Sequence, residues 1–242
     1  MKNLFNSWLA TQYIAHRGLH SDTVPENSLL AFKLAMENNH PFEMDVQMTL
    51  DGVLVVFHDR SLLRMTGVDK FIDQVNYEEI KDLKLLKTDE HIPTMQEMLD
   101  FVDGKVPILV EIKTHETIGE LEEKLTKMLR AYKGEFAVQS FNPFIVKWFK
   151  KNAKEFIRGQ LSCSFAWEKD MKSTTKYLLR HLAFIGMNGS QFVSYDVNDI
   201  HRPQLKRIKK RMPVLMWTTR SKEEMEQNKD YYTNIIFEKF KP

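Results

Sequence analysis

Short β-rich runs alternate with helical patterns almost to the end of the 242-residue chain, and this rhythm limits the fold more than any other feature. The strand candidates are Tyr13–His16, Phe42–Val46, Ile108–Lys113, Phe136–Gln139, Ile157–Leu161, Phe192–Tyr195, Val214–Trp217 and Asn234–Phe237. Between them, apolar residues recur at helical spacing, as Ile118, Leu121, Leu125 and Met128 do. Thr94 with Glu97 has the form of a capping box, and Asn142-Pro143 suits an N-cap followed by proline at the first helical position. Such alternation calls for parallel strands covered by helices. Eight of them predict a closed (β/α)8 TIM barrel rather than an open doubly wound sheet. The absence of a Gly-rich dinucleotide or phosphate-loop fingerprint also weighs against the open sheet. The length suits one barrel domain spanning residues 1–242.

Two irregularities interrupt the pattern. The sequence stops soon after the last strand, which leaves no eighth outer helix. Residues 3–10, with Phe5, Trp8 and Leu9 on one side, read as a helix that covers the gap. The stretch from about Gln47 to Ile92 is too long for an ordinary strand-to-helix loop, so it reads as an insertion after the second strand. Asp51-Gly52 lies between two extended runs, a strong hairpin signal, and short helices are expected around Tyr77–Leu85. With Asp51-Gly52 as a two-residue turn, Leu50 faces Val53, and counting back Met48 faces Val55, Val46 faces Phe57 and Asp45 faces His58. Leu62, Leu63, Met65, Phe71 and Ile72 are expected to pack the insertion onto the barrel rather than to form a lipid-facing rim.

Composition narrows the partners. A chain with 43% hydrophobic and 28% charged residues buries an ordinary core, and a net charge of +2 gives no ground for nucleic-acid binding. The basic run Lys206–Arg211 reads as a solvated helix face. The lone cysteine, Cys163, excludes an intrachain disulfide and fits a reducing compartment. No apolar run approaches the roughly 18 residues of a membrane span, and the N-terminal stretch lacks a signal-peptide core. A cytoplasmic location is expected.

Functional side chains of a parallel barrel gather where strands end. His16-Arg17 closes the first strand candidate, and Glu43 and Asp45 share one face of the second. His58-Asp59 closes the hairpin return, and Glu111 and Lys113 share one face at the end of the third. Three carboxylates at one barrel mouth repel one another unless a cation lies among them. Oxygen-only ligation points to Mg²⁺ or Ca²⁺. Simple salt bridges from Glu43 and Asp45 are the competing reading, and the pattern at two consecutive strand ends favours the metal.

Taken in order, His16-Arg17-Gly18, Pro25-Glu26-Asn27-Ser28, Glu43-x-Asp45, His58-Asp59 and Glu111-x-Lys113 form a pattern over Ile14 to Lys113, continued weakly by Ser140-Phe141 and Trp217-Thr218. The pattern resembles the glycerophosphodiester phosphodiesterase family. That resemblance implies a barrel with an insertion after the second strand. It implies hydrolysis of small glycerophosphodiesters to an alcohol and glycerol 3-phosphate, with one divalent cation at the mouth. It further implies Glu43, Asp45 and Glu111 as metal ligands, His16 and His58 as an acid–base pair with roles unassigned, and Arg17 and Lys113 as phosphate holders. The chemistry agrees: cations offset charge building on phosphate oxygens, and imidazoles transfer protons near neutral pH. Glu26 is either a strut for Arg17 or a metal-bound water, or a carboxylate favoured by a helix N-terminus. Trp217 is either an apolar substrate wall or a barrel-core aromatic.

His20 shares a loop with His16 and has a path to the mouth, whereas His40, His91, His115, His181, His201 and Cys163 read as structural or exposed. The chain departs from the family pattern at Trp217-Thr218-Thr219-Arg220 and at Ile235-Ile236-Phe237-Glu238-Lys239-Phe240. Both segments belong to the last two strands, so the leaving alcohol stays open. A related barrel, lysophospholipase D or phospholipase-like, that cyclises its substrate also uses two histidines. A non-catalytic binding barrel has no need of the whole set.

Overall fold

A computed structural model describes residues 3–113 and 117–242; His115 lies outside them. Its strands are β1 (Ile14–Ala15), β2 (Phe42–Met48), β3 (Leu54–Val56), β4 (Ile108–Ile112), β5 (Phe136–Ser140), β6 (Arg158–Ser162), β7 (Phe192–Asp196), β8 (Val214–Thr219) and β9 (Asn234–Phe237). Its α-helices are α1 (Trp8–Thr11), α2 (Leu29–Glu37), α3 (Leu63–Thr66), α4 (Met95–Val102), α5 (Glu120–Ala131), α6 (Pro143–Asn152), α7 (Ser173–Arg180), α8 (Ile185–Asn188), α9 (Pro203–Ile208) and α10 (Lys222–Asn228). The elements form two compact units, Ala15–Phe136 and Met1–Ile14 with Ala137–Pro242. Among the described residues no helix is long and apolar enough to cross a membrane.

In the unit Ala15–Phe136, β2 is the central strand. It pairs in parallel with β1 at Ala15↔Phe42 and with β4 from Phe42↔Ile108 to Val46↔Ile112. Ser28 caps α2 by accepting from the Ala31 amide, as the Pro-Glu-Asn-Ser turn suggests. Thr94 caps α4 in the same way, but the Glu97 carboxylate is taken by His91, so only half of the expected box forms.

The hairpin forms with a register one residue away from the expected one. The observed pairs are Val46↔Val56, Gln47↔Val55 and Met48↔Leu54. The loop has three residues, Leu50–Gly52: Gly52 donates to Thr49 O and sits at φ 80°, the left-handed position that a three-residue hairpin loop assigns to glycine. Leu50 leaves the ladder because its amide donates to Val75 O of the insertion. Phe57, not His58, therefore bonds opposite Asp45, through Phe57 N to Asp45 O.

The rest of the insertion builds its own small core from Val55, Phe57, Leu62, Met65, Ile72, Val75, Ile80, Leu85 and Ile92. Its helices are α3 and 3₁₀ turns at Ile72–Gln74, Tyr77–Glu79 and Leu85–Lys87. Leu63 and Phe71 do not join this core; they are 51% and 40% exposed, and the Arg60 guanidinium lies 5.0 Å from the Phe71 ring centre.

In the other unit, β5 to β9 pair consecutively and in parallel. The expected N-terminal helix appears as a 3₁₀ turn, Leu4–Asn6, followed by α1. It touches β8 and β9 and buries Leu4, Trp8 and Leu9, with Phe5 only half-buried. Asn234 of β9 secures it by donating to Leu9 O and Gln12 O.

Candidate active site

The site is built at the ends of β1, β2 and β4. Beyond β1 the chain turns sharply, with Arg17 at φ 52° and Gly18 at φ 80°. A Cβ on Gly18 would lie 2.7 Å from the Ala31 carbonyl carbon, so only glycine fits the turn against α2. This turn aims the Arg17 amide at Glu43 Oε2, 3.2 Å away. The Arg17 side chain places Nη1 2.7 Å from Glu26 Oε1 and Nε 3.3 Å from Asp45 Oδ2.

Parallel pairing brings the three expected ligands together. Asp45 stands beside Glu111 in register, and Glu43 lies two residues earlier on the same strand face. The candidate ligand atoms of Glu43, Asp45 and Glu111 lie within 4.8 Å of one another, and all three residues are buried. Lys113 joins them with its ammonium 2.7 Å from Asp45 Oδ1 and 2.6 Å from Glu111 Oε1. Glu26, expected either as a strut or as a carboxylate favoured by a helix N-terminus, accepts from Arg17 through Oε1.

Charge is unevenly shared here. Burial, then the charges of Asp45 and Glu111, push the Glu43 carboxyl well above the usual range, against Arg17 and Lys113. Burial would also raise Asp45, but Lys113, His58 and Arg17 outweigh it and hold that carboxylate well below its ordinary value. Burial disfavours charge on Lys113, yet Asp45 and Glu111 keep its pKa raised. Two fixed cations thus face three carboxylates, and the charge left unbalanced falls on Glu43, whose ionised form is disfavoured.

That residue set fits a divalent ion. The donors are all oxygens, they are close enough to share one ion, and an added positive charge would favour the ionised form of Glu43. A measurable consequence follows in chelator. A carboxyl whose folded pKa is raised stabilises the fold below its unfolded value, about 4.3, and that stability is lost as pH rises through the folded pKa. Above about pH 5, where the lowered carboxyls of Asp45, Asp59 and Glu26 are ionised both folded and unfolded, the melting temperature of the metal-free protein should therefore fall with rising pH. Glu43→Gln should flatten that slope, and an unchanged slope would contradict the assignment.

His16 follows β1, half-buried, with its ring centre 6.2 Å from that of His20 and edge-on to it. His58 places Nδ1 2.6 Å from Asp59 Oδ1. Three residues with no assigned role in the sequence reading hold these parts. Asn27, at φ 57°, donates from Nδ2 to Asp45 Oδ2 at 2.8 Å and accepts from the Asp45 amide at 3.3 Å. Gln47 donates from Nε2 to the carbonyls of Phe57, His58 and Asp59 at 2.9, 3.1 and 2.7 Å, gripping the return that carries His58. Arg64 bonds both Asp59 and Glu26. Asn27 had a sequence signal, being inside the Pro-Glu-Asn-Ser turn; Gln47 had one too, two residues beyond Asp45 on the same face.

Trp217 belongs to the other unit, on β8, edge-on to Phe141 with ring centres 5.6 Å apart. Its Nε1 is buried with no hydrogen-bond partner among the described residues. The two segments that depart from the family pattern meet each other: Arg220 Nε donates to Glu238 Oε1 at 2.9 Å. Among the remaining histidines, His91 is paired with Glu97, His181 with Tyr177 O and His201 with Asn228. Burial pushes the Cys163 thiol up to about 12, against thiolate formation.

Residues 16–237 match the model of the glycerophosphoryl diester phosphodiesterase family. A glycerophosphodiester phosphodiesterase of Caldanaerobacter subterraneus subsp. tengcongensis is 38% identical over 63% of this chain and 67% of its own. A lysophospholipase D of Rattus norvegicus is 26% identical over 59% of this chain and 49% of its own. Among solved structures, an Oleispira antarctica phosphodiesterase in complex with the product sn-glycerol-3-phosphate superimposes with a TM-score of 0.79 at 23% identity, covering 94% of this chain and 92% of that one. The fold is the (β/α)8 TIM barrel of such structures. The chain therefore belongs to the glycerophosphoryl diester phosphodiesterase family of hydrolases.

Proposed function

We propose that this protein hydrolyses small glycerophosphodiesters to an alcohol and glycerol 3-phosphate, using His16 and His58 as acid and base. The observation that carries the reading is the buried triad Glu43, Asp45 and Glu111 with Arg17 and Lys113 fixed against it. The triad is the holder of one Mg²⁺ or Ca²⁺, which when bound supplies positive charge against the phosphate oxygens. Arg17 orients the phosphate; its guanidinium is set by Glu26 and Asp45, and its pKa stays raised despite burial because Asp45, Glu26 and Glu43 surround it. Lys113 adds a second fixed cation beside the ligand set. His58, held through Nδ1, keeps Nε2 for proton transfer, and His16 serves the complementary step. One cysteine and no membrane-crossing helix among the described residues accord with a cytoplasmic site of action.

The rat relative supports a second reading, a lysophospholipase D or a cyclising phosphodiesterase. A panel of glycerophosphodiesters and lysophospholipids, with products identified, separates the two. Glycerol 3-phosphate from the glycerophosphodiesters is expected. Release of phosphorylated lipid, or of a cyclic phosphate as end product, would favour the second reading. No turnover of any substrate would point to a binding barrel.

A further inference from the structure

The insertion contributes one residue whose contacts are out of proportion to its exposure. Arg64 lies on α3, anchored by the buried neighbours Leu62 and Met65, and its side chain is 47% exposed. Three of its nitrogens are nevertheless engaged. Nε donates to Asp59 Oδ2 at 2.5 Å, while Nη1 and Nη2 donate to Glu26 Oε2 and Oε1 at 3.1 and 2.7 Å. Asp59 turns its other oxygen to His58 Nδ1, and Glu26 Oε1 also receives Arg17 Nη1. A continuous chain of charge-assisted bonds thus runs His58–Asp59–Arg64–Glu26–Arg17.

A half-exposed ion pair contributes little to stability, so tightening the fold is a weak reason for this arrangement. Orientation is a stronger one. A planar guanidinium fixes two carboxylates at a set angle, which a flexible ammonium does not. An ionised Asp59 only accepts, so the ring nitrogen facing it must carry the hydrogen, and the tautomer of neutral His58 is set. Both carboxylates are suited to this: burial would raise them, but the bonds to Asp59 from His58 and Arg64 hold it well below its usual range. Those from Arg64 and Arg17 bring Glu26 to about 2.

We propose that Arg64 is a positioning residue that holds Asp59 so that His58 is fixed as its Nδ1–H tautomer, while tying the same network to Arg17 through Glu26. The inference rests on the reading of His58 as a proton-transfer group, and its test is chosen to stand apart from that reading. In the full chain labelled with ¹⁵N-histidine, the His58 ring signals are assigned by their loss in His58→Gln. Ring-nitrogen shifts should report Nδ1–H in the native protein and a shift toward Nε2–H in Arg64→Met. In the same variant kcat should fall about 10- to 100-fold with KM little changed and the melting temperature nearly constant, with part of both effects recovered in Arg64→Lys. Arg64→Gln offers the same comparison should Arg64→Met fold poorly. Native Nδ1–H signals in the folded Met or Gln variant would overturn the proposal, as would a kcat loss no larger than the loss of folded protein. A chain inactive on every phosphodiester would overturn the functional reading, and the tautomer signals would still decide the role of Arg64.

Discussion

Removal of divalent cations with a chelator should abolish turnover, and Mg²⁺ or Ca²⁺ should restore it. A metal at a phosphoryl oxygen supplies several kcal/mol of charge stabilisation in the transition state, so the expected loss is on the order of 10³-fold or more. Asp45→Asn should mimic the loss even with metal present. Asp45 is held on one side by Asn27, lies beside Glu111 in register and bears the Lys113 ammonium, so one neutralised carboxylate disturbs the whole ligand set. Calorimetry of Mg²⁺ or Ca²⁺ binding to the stripped protein gives a readout independent of rate. Full activity in a verified metal-free preparation would remove the metal from the mechanism.

His58→Ala and His16→Ala should each lower turnover by roughly 100-fold or more, the usual contribution of a placed acid or base. Neither change should unfold the protein, because both rings are outside the apolar core and His58 is 33% exposed. The two losses should be less than multiplicative when combined, since groups acting in one proton circuit fail together. A His58→Ala enzyme of near-native kcat, folded and metal-loaded, would sink the acid–base assignment.

The sequence was most legible where short-range physics decides. Alternation of strands and helices marked the strands to within a few residues, and Asn234–Phe237 coincides with β9. The spacing Glu43-x-Asp45 was enough to place two carboxylates on one face, because side-chain direction in a strand repeats every two residues. The hairpin register was not legible. Asp51-Gly52 suits either a two- or a three-residue loop, and the choice falls to Leu50, whose amide is drawn to Val75, 25 positions away. Arg64 escaped notice for the same reason: its partner Glu26 lies 38 residues earlier, and an exposed arginine on a short helix carries no local mark. Lys113 shows a related limit. Its place beside Glu111 follows from spacing, but its contact with Asp45 depends on which strands are neighbours.

The grip of Gln47 on the return strand has a consequence for redesign. Its amide binds the main-chain carbonyls of residues 57 to 59 and no side chain among them. The anchor is therefore indifferent to what those positions display. A different group introduced at position 58 would be presented from the same point in space, beside the same carboxylates, without a new loop having to be found. The segment behaves as a socket, into which a thiol, a carboxyl or a synthetic amino acid can be plugged to ask what chemistry the surrounding charges will support.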